Sequence, residues 1–285
     1  MSKKRLQLSA FLAVFWMLIL AVTLTTATYA WFTISAVTNV EPMSSAVSEG
    51  DANLLISSSK EGPFDKECKL QPEGKPDSLA PVSTSDLGHF YESTAQTRDG
   101  ISFLYKDVTT QINTKVLHGT VYLRSEYRDC DVYLRRTGLD FGTTGQILAA
   151  MRLGLKITSE SGTVTRIFRL DEMGNTGNAA STVTIPTKGM VVSSISSNGK
   201  ASYDQDPSVS LSDYLAVENG ENDTRPQAGR EILVHLKKDE IAAVEFWLYM
   251  EGCDENCVNE AQQKDTGIQL SFAGVTKEDT QQDTQ

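Results

Sequence analysis

Met151-Arg-Leu-Gly-Leu-Lys-Ile-Thr158 decides the fold. Met151, Leu153, Leu155 and Ile157 alternate with Arg152, Gly154, Lys156 and Thr158. A period of two puts the four apolar side chains on one face of an extended chain and the others on the opposite face. A helix would scatter the same residues around its axis, so the segment reads as a half-buried strand.

The same pattern repeats on both sides. Gly162 turns the chain into Thr163-Val-Thr-Arg-Ile-Phe-Arg-Leu170. Upstream, Thr120–Ser125 and Asp131–Arg135 are alternating runs around the polar Glu126–Asp129, the pattern of paired strands. Downstream, Ile232, Val234 and Leu236 alternate, as do Val244, Phe246, Leu248 and Met250, and Ile268, Leu270 and Phe272 follow. Ala52–Ser57, Gly100–Tyr105, Thr182–Ile185 and Met190–Ile195 are further strand candidates, and Ser210–Leu215 reads as one helical turn. Residues 60–85 hold Pro63, Pro72, Pro76 and Pro81 and read as a loop or insertion outside any sheet interior. Past the N-terminal region the sequence shows neither a sustained helical period nor an internal repeat. Short alternating strands with Gly- and Pro-rich connections indicate an all-β sandwich. One domain is expected over residues 31–275, with a polar tail at 276–285.

The first 30 residues differ in kind. Lys3, Lys4 and Arg5 precede an uncharged run that lasts until Glu41, and Leu8–Val22 is apolar on every face. A basic start, a short apolar core and small residues at Thr28 and Ala30 describe an export signal cut between Ala30 and Trp31. The alternative is an uncleaved anchor helix, since the uncharged span exceeds the roughly 20 residues that cross a bilayer. In both cases the basic cluster stays inside and the rest of the chain is placed outside the cell or on its surface.

The chain has 285 residues and a net charge of −11; its 26 basic residues, less the three at the start, leave 23 against 37 acidic ones, a net −14. Nucleic-acid binding needs clustered Lys and Arg, so that class is excluded. Cys68, Cys130, Cys253 and Cys257 all lie in the exported part, where an even number favours disulfides. Cys253 and Cys257 are close enough to staple one loop, which leaves Cys68 with Cys130, although three connectivities are open.

Motifs for chemistry are few. His89, His118 and His235 have no partner at ligand spacing, and His-Glu-x-x-His, Gly-x-Ser-x-Gly and Walker A sequences are absent. No enzyme activity, metal or cofactor is expected. Glu251-Gly-Cys-Asp-Glu-Asn-Cys257 clusters oxygen ligands, but an EF-type loop from Asp254 would need glycine where Asn259 stands, so it reads as an acidic, disulfide-closed turn. Asn222-Asp-Thr224 is a glycosylation sequon. Trp247 and Tyr249 fall on the face opposite Phe246 and Leu248. They are candidate contacts for a carbohydrate or partner chain; packing under a second layer is the weightier reading.

Thr28-Tyr-Ala-Trp-Phe32 resembles the cut-site region of the TasA/camelysin family of Gram-positive bacteria. Members of that family are exported with signals processed by a dedicated SipW-type signal peptidase. Ser48–Ile56 resembles the family's first strand, Thr120–Leu134 its strand–loop–strand segment and Ile268–Phe272 its last strand, while Val244–Cys253 is similar to exported clostridial relatives. The resemblance implies a jelly-roll sandwich and a structural role in surface fibres or biofilm matrix. Its partners would be the export machinery, other matrix or surface proteins, and further copies of itself. The four cysteines and the Pro-rich insertion depart from the fibre-forming members. Camelysins have been described as metallopeptidases, but no motif here supports that activity.

Two function classes follow. One is a structural protein of the cell surface or matrix. The other is a membrane-tethered binding module for a glycan or protein. The first draws on Trp31-Phe-Thr-Ile-Ser-Ala-Val-Thr-Asn-Val40, an uncharged, β-prone segment that would seek an unpaired sheet edge once cut free. Phe32, Ile34 and Ala36 would form its more apolar face, with Trp31 on the other.

Overall fold

The computed structural model describes residues 44–47, 54–76, 79–96, 103–141, 146–171, 187–218, 224–225, 230–257 and 267–275. Thr28, Ala30, Trp31, the 31–40 segment with Phe32, Ile34 and Ala36, the 182–185 strand and the 276–285 tail lie outside them. Among the described residues, no helix is long and apolar enough to cross a membrane.

The strands run in chain order as β1 (Ser44–Val47), β2 (Leu54–Ser57), β3 (Glu67–Lys69), β4 (Pro72–Gly74), β5 (Pro81–Val82), β6 (Tyr91–Gln96) and β7 (Phe103–Asp107). Then come β8 (Leu117–Ser125), β9 (Cys130–Arg135), β10 (Met151–Ser159), β11 (Gly162–Arg169), β12 (Met190–Ile195) and β13 (Ala201–Gln205). Last are β14 (Val209–Ser210), β15 (Leu215–Glu218), β16 (Thr224–Arg225), β17 (Val234–Leu236), β18 (Ile241–Glu251) and β19 (Leu270–Val275). A short helix α1 (Gln146–Ala150) leads into β10, and 3-10 turns occupy Thr109–Thr114 and Leu211–Tyr214. Ser210 caps the second turn by accepting the Ser212 N–H, so the expected helical turn is present.

Two sheets carry the fold. The first is ordered β16-β15-β9-β19-β1-β3, with β17 beside β9; the second is ordered β14-β11-β10-β18-β8-β2, with β4 beside β8 and β5 beside β18. Their inner faces bury one apolar core. Val132, Leu134, Leu270 and Phe272 come from the first sheet; Leu153, Leu155, Val121, Val244, Phe246 and Leu248 come from the second. The register pairs Leu153 with Leu248, Leu155 with Phe246, and Val244 with both Ile157 and Val121. Cross-strand apolar pairs of this kind are what hold a sheet to one register.

The Pro-rich segment corrects the sequence reading. β3, β4 and β5 are paired strands, not loop. β2 and β4 share one edge of β8, Leu54–Ser57 against Tyr122–Ser125 and then Pro72–Gly74 against His118–Gly119. β8 pairs with β18 as far as Leu248, and β5 takes over that edge at Met250 and Glu251. Proline survives here because each of these strands is short and lies along an outer flank, where a missing N–H costs little.

The outer face of the second sheet carries a further layer. The β6–β7 and β12–β13 hairpins are two-stranded sheets of their own. Val82, Leu87, Phe90, Val108 and Val116 pack with Ile167, Trp247 and Tyr249 of that face. Tyr91, Tyr105, Val192 and Cys253 form an adjoining cluster. Leu87 holds φ +59° while the Thr84 hydroxyl accepts its N–H at 3.0 Å. The turn sets its side chain over Gly154, where a Cβ would stand 2.6 Å from a Leu87 methyl. β10 is therefore not half-buried along its whole length. Arg152 and Gly154 are covered, and only from Lys156 onward does its outer side reach solvent.

Candidate functional site

The outer layer closes over a buried ion cluster at one end of β10 and β18. Arg152 is 3% exposed and alternates with the core-facing Met151 and Leu153, so its side chain projects from the outer face. One terminal nitrogen, Nη1, donates to the carbonyls of Ala149 at 3.0 Å and Met151 at 3.1 Å. The other, Nη2, donates to Asp206 Oδ2 at 3.1 Å and Asp254 Oδ2 at 2.6 Å. Asp206 lies between β13 and β14, and Asp254 in the turn after β18. One guanidinium thus ties two separate segments to the sheet.

Each carboxylate is fixed from behind. Asp206 Oδ1 accepts the Ser208 N–H at 2.8 Å, and Asp254 Oδ1 accepts the N–H of Asn256 at 2.8 Å and its side-chain amide at 3.0 Å. Burial alone would raise the Asp206 carboxyl; the Arg152 charge and the Ser208 hydrogen bonds outweigh it and hold the group below its usual range. Burial likewise works against the Arg152 charge, but the charges of Asp254 and Asp206 more than restore it.

Glu251 is the fourth member. It is 1% exposed at the end of β18, on the same face as Trp247 and Tyr249. Its Oε1 accepts the Cys253 N–H at 3.0 Å, while Oε2 has no hydrogen-bond partner. Burial pushes its carboxyl up to about 8, against the opposing pull of the Ser83 hydroxyl and the Arg152 charge. Arg152 Nε is the other buried polar atom of this cluster without a partner. Both residues line a cavity of about 180 Å³ walled also by Asp206, Asp254, Asn256 and Met190. Lys188 and Glu255, paired at 3.0 Å, complete it together with Arg169, Gly189 and Cys253.

Several residues singled out from sequence stand elsewhere. Tyr249 is 1% exposed and meets Phe90 edge-to-face, with centroids 5.9 Å apart and planes at 89°. Trp247 is partly buried in the same cluster. As a surface contact Tyr249 is corrected, because the outer layer covers it, while Trp247 is covered only in part by the same layer. The histidines pair locally: Asp86 Oδ2 lies 2.9 Å from His89 Nδ1, Asn113 Oδ1 2.8 Å from His118 Nε2, and Asp131 Oδ1 2.7 Å from His235 Nδ1. Among the described residues, no group of three or more His, Cys, Asp or Glu is placed to hold a metal ion.

The cysteines are free thiols, so neither expected disulfide is formed. Cys68 lies on β3 and Cys130 on β9, with β19 and β1 between them in the sheet. Three strand spacings are about 14 Å, far beyond the roughly 4–7 Å between Cα atoms that a disulfide spans. Cys253 and Cys257 are near in sequence but enter different clusters. Cys253 packs in the outer layer, 3.5 Å from the Tyr105 hydroxyl, and Cys257 packs against the main core.

Sequence reasoning placed Glu251 and Asp254 in an acidic turn but missed Arg152 and Asp206. The one available signal was an arginine at the start of the most regular strand, on the side taken to be solvent. Nothing local announces that Asp206, 54 residues away, returns to it.

No family model, curated protein or solved structure matches this chain. Fold and site define a mostly β protein with two sheets over one core and an ion cluster under an outer layer.

Proposed function

We propose that this chain is an exported, non-enzymatic structural protein of the cell surface or biofilm matrix that associates through its N-terminal strand. The observation that carries the reading is the position of β1. Ser44–Val47, the first described strand, sits between two others, parallel to β19 (Ser45 with Leu270) and antiparallel to β3 (Ser45 with Cys68). A strand near a chain end that fills an internal slot is one that a neighbour could supply without rethreading the chain. Withdrawn, it would leave β19 and β3 with facing unpaired edges, which invite strand addition.

The sequence supports the rest of the reading. The basic start and apolar run of residues 3–30 suit export, and the uncharged 31–40 segment precedes β1, with Glu41-Pro42-Met43 between them. The resemblance to TasA and camelysin proteins adds a jelly-roll form and a matrix setting. A net −14 opposes close stacking of copies unless cations or acid screen it.

The test compares the chain from Trp31 with a chain from Val47, by sedimentation and electron microscopy. Fibres from the longer form alone are the expected result. Equal polymerisation of both, or monomers of both at every pH and salt, would remove assembly from the account. The second reading, a tethered surface binding module, is favoured by one observation: the cavity at Arg152 and Glu251 with its unpartnered polar atoms.

A further inference from the structure

We infer that the cavity between Arg152 and Glu251 is a binding subsite for a small neutral polyhydroxy compound, a polyol or a single sugar ring. The inference deepens the binding-module reading and stands whether or not the chain polymerises.

Two buried polar atoms carry it. Arg152 Nε is a donor with no acceptor, and Glu251 Oε2 has no partner either, although the residues are only 3% and 1% exposed. Buried groups of this kind are paired in native proteins by protein, water or ligand, because an unmet one costs its full desolvation. Both residues line the same cavity of about 180 Å³. The volume holds roughly six waters at ~30 Å³ each. It falls below the roughly 300–1,000 Å³ of sites for drug-sized ligands, so the occupant is small.

The charges around the cavity narrow its chemistry. A metal ion would have to share Asp206 Oδ2 and Asp254 Oδ2 with the Arg152 guanidinium that already bridges them. An anion would face four carboxyl groups, Asp206, Glu251, Asp254 and Glu255, against three cations, Arg152, Arg169 and Lys188, of which Arg152 and Lys188 are already paired with those carboxylates. Asp206 and Asp254 are both engaged by Arg152 and Glu255 by Lys188, Arg169 brings a third positive charge to the lining against these three carboxylates, and burial keeps the Glu251 proton on near neutral pH. No full negative charge is then left over to attract an amine. What remains is a dense set of donors and acceptors of near-balanced charge. Hydroxyl groups on neighbouring carbons fit it, one accepting from Arg152 Nε and one bonding to Glu251 Oε2, since a hydroxyl both donates and accepts. Met190, 38% exposed on β12, gives the C–H face of such a ligand an apolar contact at the rim.

The test is saturation-transfer NMR, followed by calorimetry, on the full chain in a zwitterionic detergent without sugar headgroups. Probes are glycerol, D-glucose, D-galactose and N-acetyl-D-glucosamine; sodium acetate and methylammonium chloride are the charged controls. At least one neutral probe should receive saturation and the charged controls should not. Glu251→Gln removes the acid while keeping its shape, and Met190→Trp fills the rim from a partly exposed position that leaves the ion cluster intact. Each should weaken binding by about tenfold or more, whereas Arg166→Ala, which lies away from the cavity, should not. Binding lost in Met190→Trp supports the assignment even if Glu251→Gln fails to fold. Transfer to none of the probes, equal transfer in the Met190→Trp protein, or equal transfer to the charged controls would each overturn the subsite and leave the cavity to water.

Discussion

Replacing Glu251 with glutamine should flatten the dependence of stability on pH. The carboxyl has an ordinary value of 4.5, and burial raises it to about 8 in the folded chain. A group whose folded value is raised binds its proton more tightly when folded than when unfolded. Its full contribution is present below about pH 4.5, is lost as pH rises toward about 8, and is constant above that. At ~1.4 kcal/mol for each factor of ten, the interval corresponds to about 5 kcal/mol, an upper figure because relaxation around the charge would reduce it. Asp206 works oppositely. Its lowered carboxyl adds stability above its ordinary 3.8 and loses it as pH falls through the lower folded value, on the acid side of the Glu251 window. The substituted glutamine cannot ionise and keeps a carbonyl for the Cys253 N–H, so the variant should lose the decline between about pH 4.5 and 8. The assay is urea unfolding of the chain lacking residues 1–30, wild type against Glu251→Gln, across that range. Parallel curves throughout would refute the argument, because they would mean that Glu251 is as ionised folded as unfolded.

Arg152→Met should destabilise by about 3–5 kcal/mol, because it strands Asp206 and Asp254 as buried charges, and adding Asp206→Asn and Asp254→Asn should recover most of the loss; urea midpoints decide both. Gly154→Ala should cost about 1–3 kcal/mol by driving a Cβ into Leu87, and the extra cost should vanish in a Leu87→Ala background, as a double-mutant cycle by thermal melting would register. Native alkylation followed by peptide mass mapping should leave Cys130 and Cys253 unmodified until unfolding, since burial pushes their thiols up to about 11 and about 12; a linked Cys253–Cys257 peptide would reinstate the sequence expectation.

The core strands were legible because a two-residue period survives any tertiary arrangement. Met151, Leu153, Leu155 and Ile157 face the main core as their spacing requires, and Val244, Phe246 and Leu248 lie opposite them across the ladder. The outer layer was not legible, because it depends on what lands on the second face. Trp247 and Tyr249 announce an apolar face, but only the return of Val82, Leu87 and Phe90 decides that protein covers it. The proline-rich stretch misled for a related reason: proline excludes a central strand but not a two- or three-residue flank such as Pro81–Val82. The ion cluster needed the register as well. Arg152 stands opposite Tyr249 in the ladder, which sets it diagonally to Glu251, and a slip of one residue would have sent it into the core. Sequence distance suggests Cys253 with Cys257 and leaves Cys68 with Cys130 by elimination, whereas the sheet order separates Cys68 from Cys130 and two clusters divide Cys253 from Cys257.

Export of the chain is the premise on which surface location depends, and release of its first 30 residues is the further premise of strand exchange. Expression of the full sequence in a Gram-positive host, followed by N-terminal sequencing of the protein recovered outside the cell, tests both directly. The account predicts a mature chain beginning at Trp31. A surface protein that retains Lys3, or a chain found only inside the cell, would contradict it.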